Sequence, residues 1–323
     1  MKALLCKQYG PPESLVVEEL PALQPQKNQV VIAVKACGVN FPDTLIIQGK
    51  YQFKPPFPFS PGGEAAGVVK ELGEEVKHLK VGDNVFAMPG WGGFAEELVV
   101  DANRAFRMPP SMDYNVAASL MYTYGTSYHA LKDRAQLKAG ETLLVLGAAG
   151  GVGLAAVNLG KIMGAKVIAA ASSDEKLALC KEYGADGLIN YSKQDLRESL
   201  KTLTGGGVDV VYDPVGGSYA EPALRALNWK GRYLVVGFAA GQIPALPFNL
   251  ALLKGSSIVG VFWGAFAEKE PKANFQNITE LFEFYQKGTL KPYIQKTYSL
   301  AQAPQALNDM LERRVMGKLV VTP

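Results

Sequence analysis

Two stretches of this chain combine residue types and spacings that can do chemistry. In Gly147-Ala-Ala-Gly150-Gly151-Val152-Gly153, four glycines follow the apolar strand-like run that ends at Leu146 and precede an apolar helical segment. Missing side chains let the backbone approach a pyrophosphate, while the free N–H groups and positive end of the following helix attract its charge. Cys37-Gly-Val-Asn40-Phe-Pro-Asp43 sets a thiol, an amide and a carboxylate within seven positions, shortly after the alternating run Val30 to Val34. That is the composition of half a metal site.

The supply of ligands argues against the metal. The cysteines Cys6, Cys37 and Cys180 are odd in number, widely spaced and without a CxxC pair, so neither a disulfide framework nor a structural zinc lobe is indicated. Only two histidines occur: His78 in a charged turn and His129 on a helix after YGTSY, where packing or a solvent-facing place is the plainer role. Asp43, and Glu64 in GGEAAG, sit in Pro- or Gly-bent segments where a carboxylate ties down backbone N–H groups. Cys37 has no histidine or lysine pattern nearby to make it a nucleophile.

The dinucleotide is chosen at the end of the second strand of the glycine-turn unit. NAD sites place a carboxylate there for the ribose hydroxyls. This strand ends Ala169-Ala170-Ala171-Ser172-Ser173, and the first acid, Asp174, has the position of a helix cap. A 2′-phosphate would meet the hydroxyls of Ser172 and Ser173, Lys176 in the first helical turn, and Tyr191 from the end of the third strand. NADPH is the cofactor this pattern predicts.

The elements that must hold these residues change character along the chain. Up to about residue 120, short strands (30–34, 65–69, 85–87, 94–99) alternate with Gly/Pro turns and imply a mostly β domain. From Glu141 strand and helix alternate strictly: five strands separated by helices predict a doubly wound parallel sheet with ligands at the carboxyl ends of its strands. After Trp263 come a helix near 274–287, an extended piece near 293–298, a helix near 304–313 and the strand KLVVTP. That tail is too small to fold alone and is assigned to the first domain. The expected domains are 1–123 with 264–323, and 124–263 between them.

With 323 residues, 48% apolar and 20% charged, the chain has room for two cores, and its net charge of +3 selects neither nucleic acid nor an anionic membrane. The longest apolar run, Leu143 to Val157, is too short and glycine-rich to span a bilayer. Unpaired cysteines fit a reducing, cytoplasmic setting.

This organisation resembles the medium-chain dehydrogenase/reductase superfamily over essentially the whole chain. In its zinc-dependent members, Cys-Gly-x-Cys-His-x-Asp and Gly-His-Glu segments supply ligands; here CGVNFPD places Asn40 at the cysteine and GGEAAG places Gly63 at the histidine. AAGGVG, ASSDEK, GADGLINY, DPVGG, QGKY and GKLVV resemble the quinone oxidoreductase family. KPPFPFSPG, GSSIVGVFWG and LPFNLALLK resemble its quinone oxidoreductase-like branch. The resemblance implies an α/β fold, a Rossmann-type sheet inserted into a β-rich GroES-like catalytic domain, with NADPH, no metal, and hydride transfer to a quinone or conjugated carbonyl compound. It implies that Asn40 and Tyr51 border the nicotinamide and the acceptor, that Thr126, Gly237, Phe238 and Phe262 line the nicotinamide end, and that Lys318 lies near the cofactor. Gly150, Gly151 and Val152 carry the pyrophosphate turn. Leu45, where some relatives have a second tyrosine, points to a more apolar pocket, and Trp263 is either a roof over it or a core or interface tryptophan. A homodimer paired through the strand IVGV is the expected assembly. An enoyl-thioester reductase of the acryloyl-CoA kind and a non-catalytic, crystallin-like NADPH-binding protein are the alternatives.

Overall fold

The computed structural model describes residues 1–323. The chain divides into two compact units, Met1–Tyr122 with Pro292–Pro323, and Thr123–Lys291.

The first unit is built on a seven-stranded sheet in the order Ile294–Ser299, Lys318–Thr322, Gln29–Val39, Glu64–Leu72, Asn84–Ala87 and Ala105–Arg107, with Glu97–Asp101 also paired to Gln29–Val39. Only the first pair is parallel. Val30, Ile32 and Val34 occupy alternate positions and enter one core cluster, as the period of two requires. The last strand pairs Leu319 with Val39 and Val320 with Gly38, which sets residue 318 beside residue 40. Asn40 ends the long strand and opens the short helix Phe41–Ile46, whose first turn accommodates Pro42 because those N–H groups have no helical partner.

The second unit holds a six-stranded sheet, every neighbouring pair parallel. Its order is Gly187–Asn190, Lys166–Ala171, Thr142–Leu146, Val208–Asp213, Leu227–Val235 and Ser257–Gly260. Numbered along the chain from the glycine-turn strand, this is the 3-2-1-4-5-6 order of a Rossmann sheet. Its direction reverses between Thr142–Leu146 and Val208–Asp213, and the crevice beyond their carboxyl ends is where such sheets bind ligands. Leu143 to Leu146 and Val167 to Ala171 are fully buried, which explains their continuous rather than alternating apolar character.

Two assignments from the sequence change. Residues 264–291, expected in the first unit, belong to the second. The helix Pro271–Gln286 is tied there by Lys132 Nζ to Asn277 Oδ1 at 2.9 Å, Asn277 Nδ2 to Asp133 at 2.8 Å, and Trp263 Nε1 to Asn274 at 3.1 Å. The segment Ser218 to Leu227 reads in sequence as one helix between the fourth and fifth strands, but the helix closes at Arg225 and Leu227 starts the strand, because it is buried and paired with Val208.

Candidate functional site

In the first unit, Asn40, Asp43, Glu64 and Lys318 form a buried polar cluster. Lys318 Nζ donates to Asn40 Oδ1 at 2.7 Å, Val39 O at 3.1 Å and Glu64 Oε2 at 3.2 Å, so all three ammonium hydrogens have acceptors. The other Glu64 oxygen accepts from the N–H groups of Met121 at 2.6 Å and Tyr122 at 3.0 Å. Asn40 Nδ2 donates to Gly38 O and Glu64 Oε2, both at 3.3 Å. Of the two residues expected to border the acceptor, Asn40 is therefore oriented by Lys318 with its amide turned inward. Tyr51 is half-buried, with its ring 5.8 Å from that of Phe53. Burial, and secondarily the Asp43 carboxylate, push the Tyr51 phenol up, which keeps it a neutral donor.

Asp43 and Glu64 hold backbone N–H groups, as their bent segments imply. Asp43 accepts from Asn40 N at 2.7 Å and Gly62 N at 3.1 Å. Burial nevertheless pushes its carboxyl up to about 6, outweighing those bonds and Lys318. The folded state thus binds this proton more tightly than the unfolded chain, whose carboxyl sits near 3.8. Its contribution to stability is full below that value and is lost as pH rises to about 6. Urea midpoints of the parent and Asp43→Asn, measured from acid to neutral pH, should show the parent losing ground to the variant across this window. A constant difference overturns the assignment.

Cys37 is sealed. A Cβ built on Gly93 or Gly62 would lie 2.6 or 2.8 Å from its sulfur, and burial, then Asp43 and Glu64, raise the thiol well above the ordinary range. A Cβ on Gly63 would lie 2.7 Å from the Tyr122 hydroxyl and 3.0 Å from Gly90 O, so position 63 has no room for an imidazole. No group of three His, Cys, Asp or Glu side chains suited to a metal ion occurs. His78 bonds Ala102 O at 3.0 Å; His129 is buried, bonded to Asp133 at 2.8 Å and stacked on Phe266.

In the second unit, the glycine turn fits a pyrophosphate. A Cβ on Gly153 would lie 2.3 Å from Gly147 O, so only glycine lets the helix Gly151–Ile162 start this close to the strand. Gly150 is its N-cap and no side chain caps it, which leaves the N–H groups around Gly151 and Val152 to an anion.

Beyond the next strand, Lys176 Nζ donates to Ser172 Oγ at 3.3 Å. Ser173, not Asp174, is the cap of the helix Asp174–Glu182, its hydroxyl accepting from Lys176 N at 3.3 Å. Asp174 is instead bonded to Asn190 Nδ2 and Lys193 Nζ, each at 2.6 Å, so its charge is paired with a lysine. The Tyr191 ring lies 4.3 Å from Tyr219, a neighbour that no local pattern announces.

Thr126 lies between the π-helical segments Met121–Gly125 and His129–Arg134 rather than at a cap, and such segments recur at functional sites. Gly237 follows the fifth strand and packs over Pro214, with Phe238 half-buried after it. Phe262 is 48% exposed and is not a core residue. Trp263 is buried against Gly125 and bonded to Asn274, which makes it a core tryptophan.

Comparison with known proteins shows the family. Residues 26–110 match the family described as alcohol dehydrogenase GroES-like domain, and residues 151–283 the family described as zinc-binding dehydrogenase. A quinone oxidoreductase-like protein 2 homolog of Nematostella vectensis is 40% identical over 99% of this chain and 88% of its own length. Quinone oxidoreductase-like protein 2 of Bos taurus is 39% identical over 99% of this chain and 92% of its own. The crystal structure of Escherichia coli quinone oxidoreductase complexed with NADPH superposes with a TM-score of 0.93 at 30% identity, covering 100% of both chains. The chain belongs to the quinone oxidoreductase family of medium-chain dehydrogenases/reductases, in its quinone oxidoreductase-like branch, and is an oxidoreductase of that superfamily.

Proposed function

We propose that this protein is an NADPH-dependent, metal-free reductase of quinones or related conjugated carbonyl compounds. The metal-free character is carried by one observation: Gly63 has no space for a ligand side chain, in a segment where Asn40 replaces a thiolate and Lys318 supplies the cation. Ser172 and Lys176, with Asp174 paired to Lys193, support a 2′-phosphate, and the Escherichia coli relative was crystallised with NADPH.

When bound, the nicotinamide supplies a hydride. In this reading Gly150, Gly151 and Val152 hold the pyrophosphate, while Thr126, Gly237, Phe238 and Phe262 line the nicotinamide end. Tyr51 donates a hydrogen bond where negative charge builds on the acceptor oxygen, and Asn40, locked by Lys318, shapes the floor beside it. Quinones are easily reduced, so orientation and exclusion of water supply most of the remaining effect.

Loss of reduced-nicotinamide absorbance against a panel of quinones, enals and enoyl thioesters tests the proposal. Turnover with quinones or enals is expected. Turnover confined to enoyl thioesters, or tight NADPH binding without consumption, overturns it.

Three buried free cysteines support a cytoplasmic location, and no helix is long and apolar enough to cross a membrane. A homodimer through the edge strand Ser257–Gly260 is part of the reading. It is supported by the exposed Trp229, Leu252 and Leu253, with Trp229 packed on Gly255 just before that strand. Sedimentation equilibrium should give twice the chain mass, and a monomer refutes it.

A further inference from the structure

The strand Val208–Asp213 ends on two consecutive buried polar residues, Tyr212 and Asp213, which project to opposite faces of the sheet. Each reaches a different part of the expected cofactor site.

On one face, the Tyr212 hydroxyl lies 2.8 Å from Ser127 Oγ, and Ser127 Oγ donates to Val152 O at 2.8 Å. A carbonyl can only accept, so the serine proton belongs to Val152 and Tyr212 must donate to Ser127. The relay ends on the second residue of the helix that the pyrophosphate would meet, and it passes through Ser127, the neighbour of Thr126.

On the other face, Asp213 Oδ1 accepts from Val215 N at 2.7 Å and Gly216 N at 2.8 Å, and Oδ2 accepts from the Tyr233 hydroxyl. The loop so clasped, Pro214–Gly216, packs against the Gly237–Phe238 segment expected at the nicotinamide side. Pro214 O accepts from Ala239 N at 3.0 Å, Val215 O accepts from Ala240 N at 2.9 Å, and a Cβ on Gly216 would lie 3.0 Å from the Phe238 ring. The Val215 side chain also abuts Gly147, where a Cβ would come within 2.7 Å.

We propose that Asp213 is a positioning residue that sets the Gly237–Phe238 segment relative to the glycine turn, and that Ser127, held by Tyr212, does the same for the turn itself. Neither touches the cofactor. The inference rests on the NADPH reading. It predicts that the two residues affect different halves of the dinucleotide.

The test is equilibrium binding, by calorimetry, of NADPH and of 2′-phospho-ADP-ribose, which lacks the nicotinamide. Asp213→Ala should weaken NADPH about tenfold and the fragment less than about twofold, since only the clasp on the nicotinamide side is lost. Asp213→Asn keeps an acceptor for both N–H groups and should restore NADPH affinity to within about threefold of the parent. Ser127→Ala should weaken both ligands in parallel. If Asp213→Ala does not fold, Gly216→Ala replaces it: its φ of +66° and its contact with Phe238 disturb the same loop, with the same selective loss expected. A parallel loss of both ligands in the Asp213 and Gly216 variants, or no loss, overturns the inference while leaving the cofactor reading intact. A parent protein that binds neither ligand overturns both.

Discussion

Lys318→Met is expected to destabilise the protein by about 3–5 kcal/mol, the cost of breaking a buried ion pair by removing one partner. Lys318 and Glu64 are 4% and 0% exposed, so water cannot take over the charge left behind. The Glu64 oxygen facing the ammonium would keep only the long contact from Asn40 Nδ2, while its other oxygen remains committed to Met121 and Tyr122. The second expectation separates charge from packing. In Lys318→Met/Glu64→Gln the glutamine still accepts those two N–H bonds and no charge is stranded, so most of the loss should be recovered. Denaturant unfolding of the parent, single and double variants measures both effects. A single variant within about 1 kcal/mol of the parent would show that the pair is not buried in solution.

Lys176→Ala is expected to weaken NADPH by about ten- to a hundredfold, since a charge-assisted phosphate contact contributes about 1.5–3 kcal/mol, and to change NADH by less than about twofold. The selectivity follows from position. Lys176 Nζ lies beside Ser172 Oγ, just past the strand end where a ribose-binding acid would stand in an NAD site. Only a ligand with a 2′-phosphate exploits that charge. The same reasoning makes the NADPH affinity of the parent fall with added salt more steeply than its NADH affinity, and the difference should vanish in the variant. Fluorescence titration of each nucleotide reads the result. Equal losses for both would place Lys176 outside the nucleotide site.

Much of the fold follows from patterns within short windows. Glycine spacing announces the dinucleotide turn because the close approach of Gly153 to Gly147 O is made within seven residues. The runs Leu143 to Leu146 and Val167 to Ala171 announce a parallel sheet because both of their faces are covered. Capping is less distinct. Ser173 and Asp174 are both good caps by type, and only the conformed chain shows that the serine takes the position while the acid turns to Asn190 and Lys193. The helix Pro271–Gln286 has its polar anchors at Lys132 and Asp133, too far upstream for any window to associate them with it.

By itself the sequence determined what local composition controls: the glycine turn, the missing acid after the second strand, the shortage of metal ligands and the order of strands and helices. Tertiary structure alone decided which distant polar groups meet. Lys318 reaches Asn40 and Glu64 across 278 and 254 residues because the final strand pairs Leu319 with Val39, and Tyr212 reaches Ser127 across 85. Such contacts have no periodic signature along the chain. Strand register sets them, and register is selected by the burial of whole sheet faces rather than by the polar residues that it brings together.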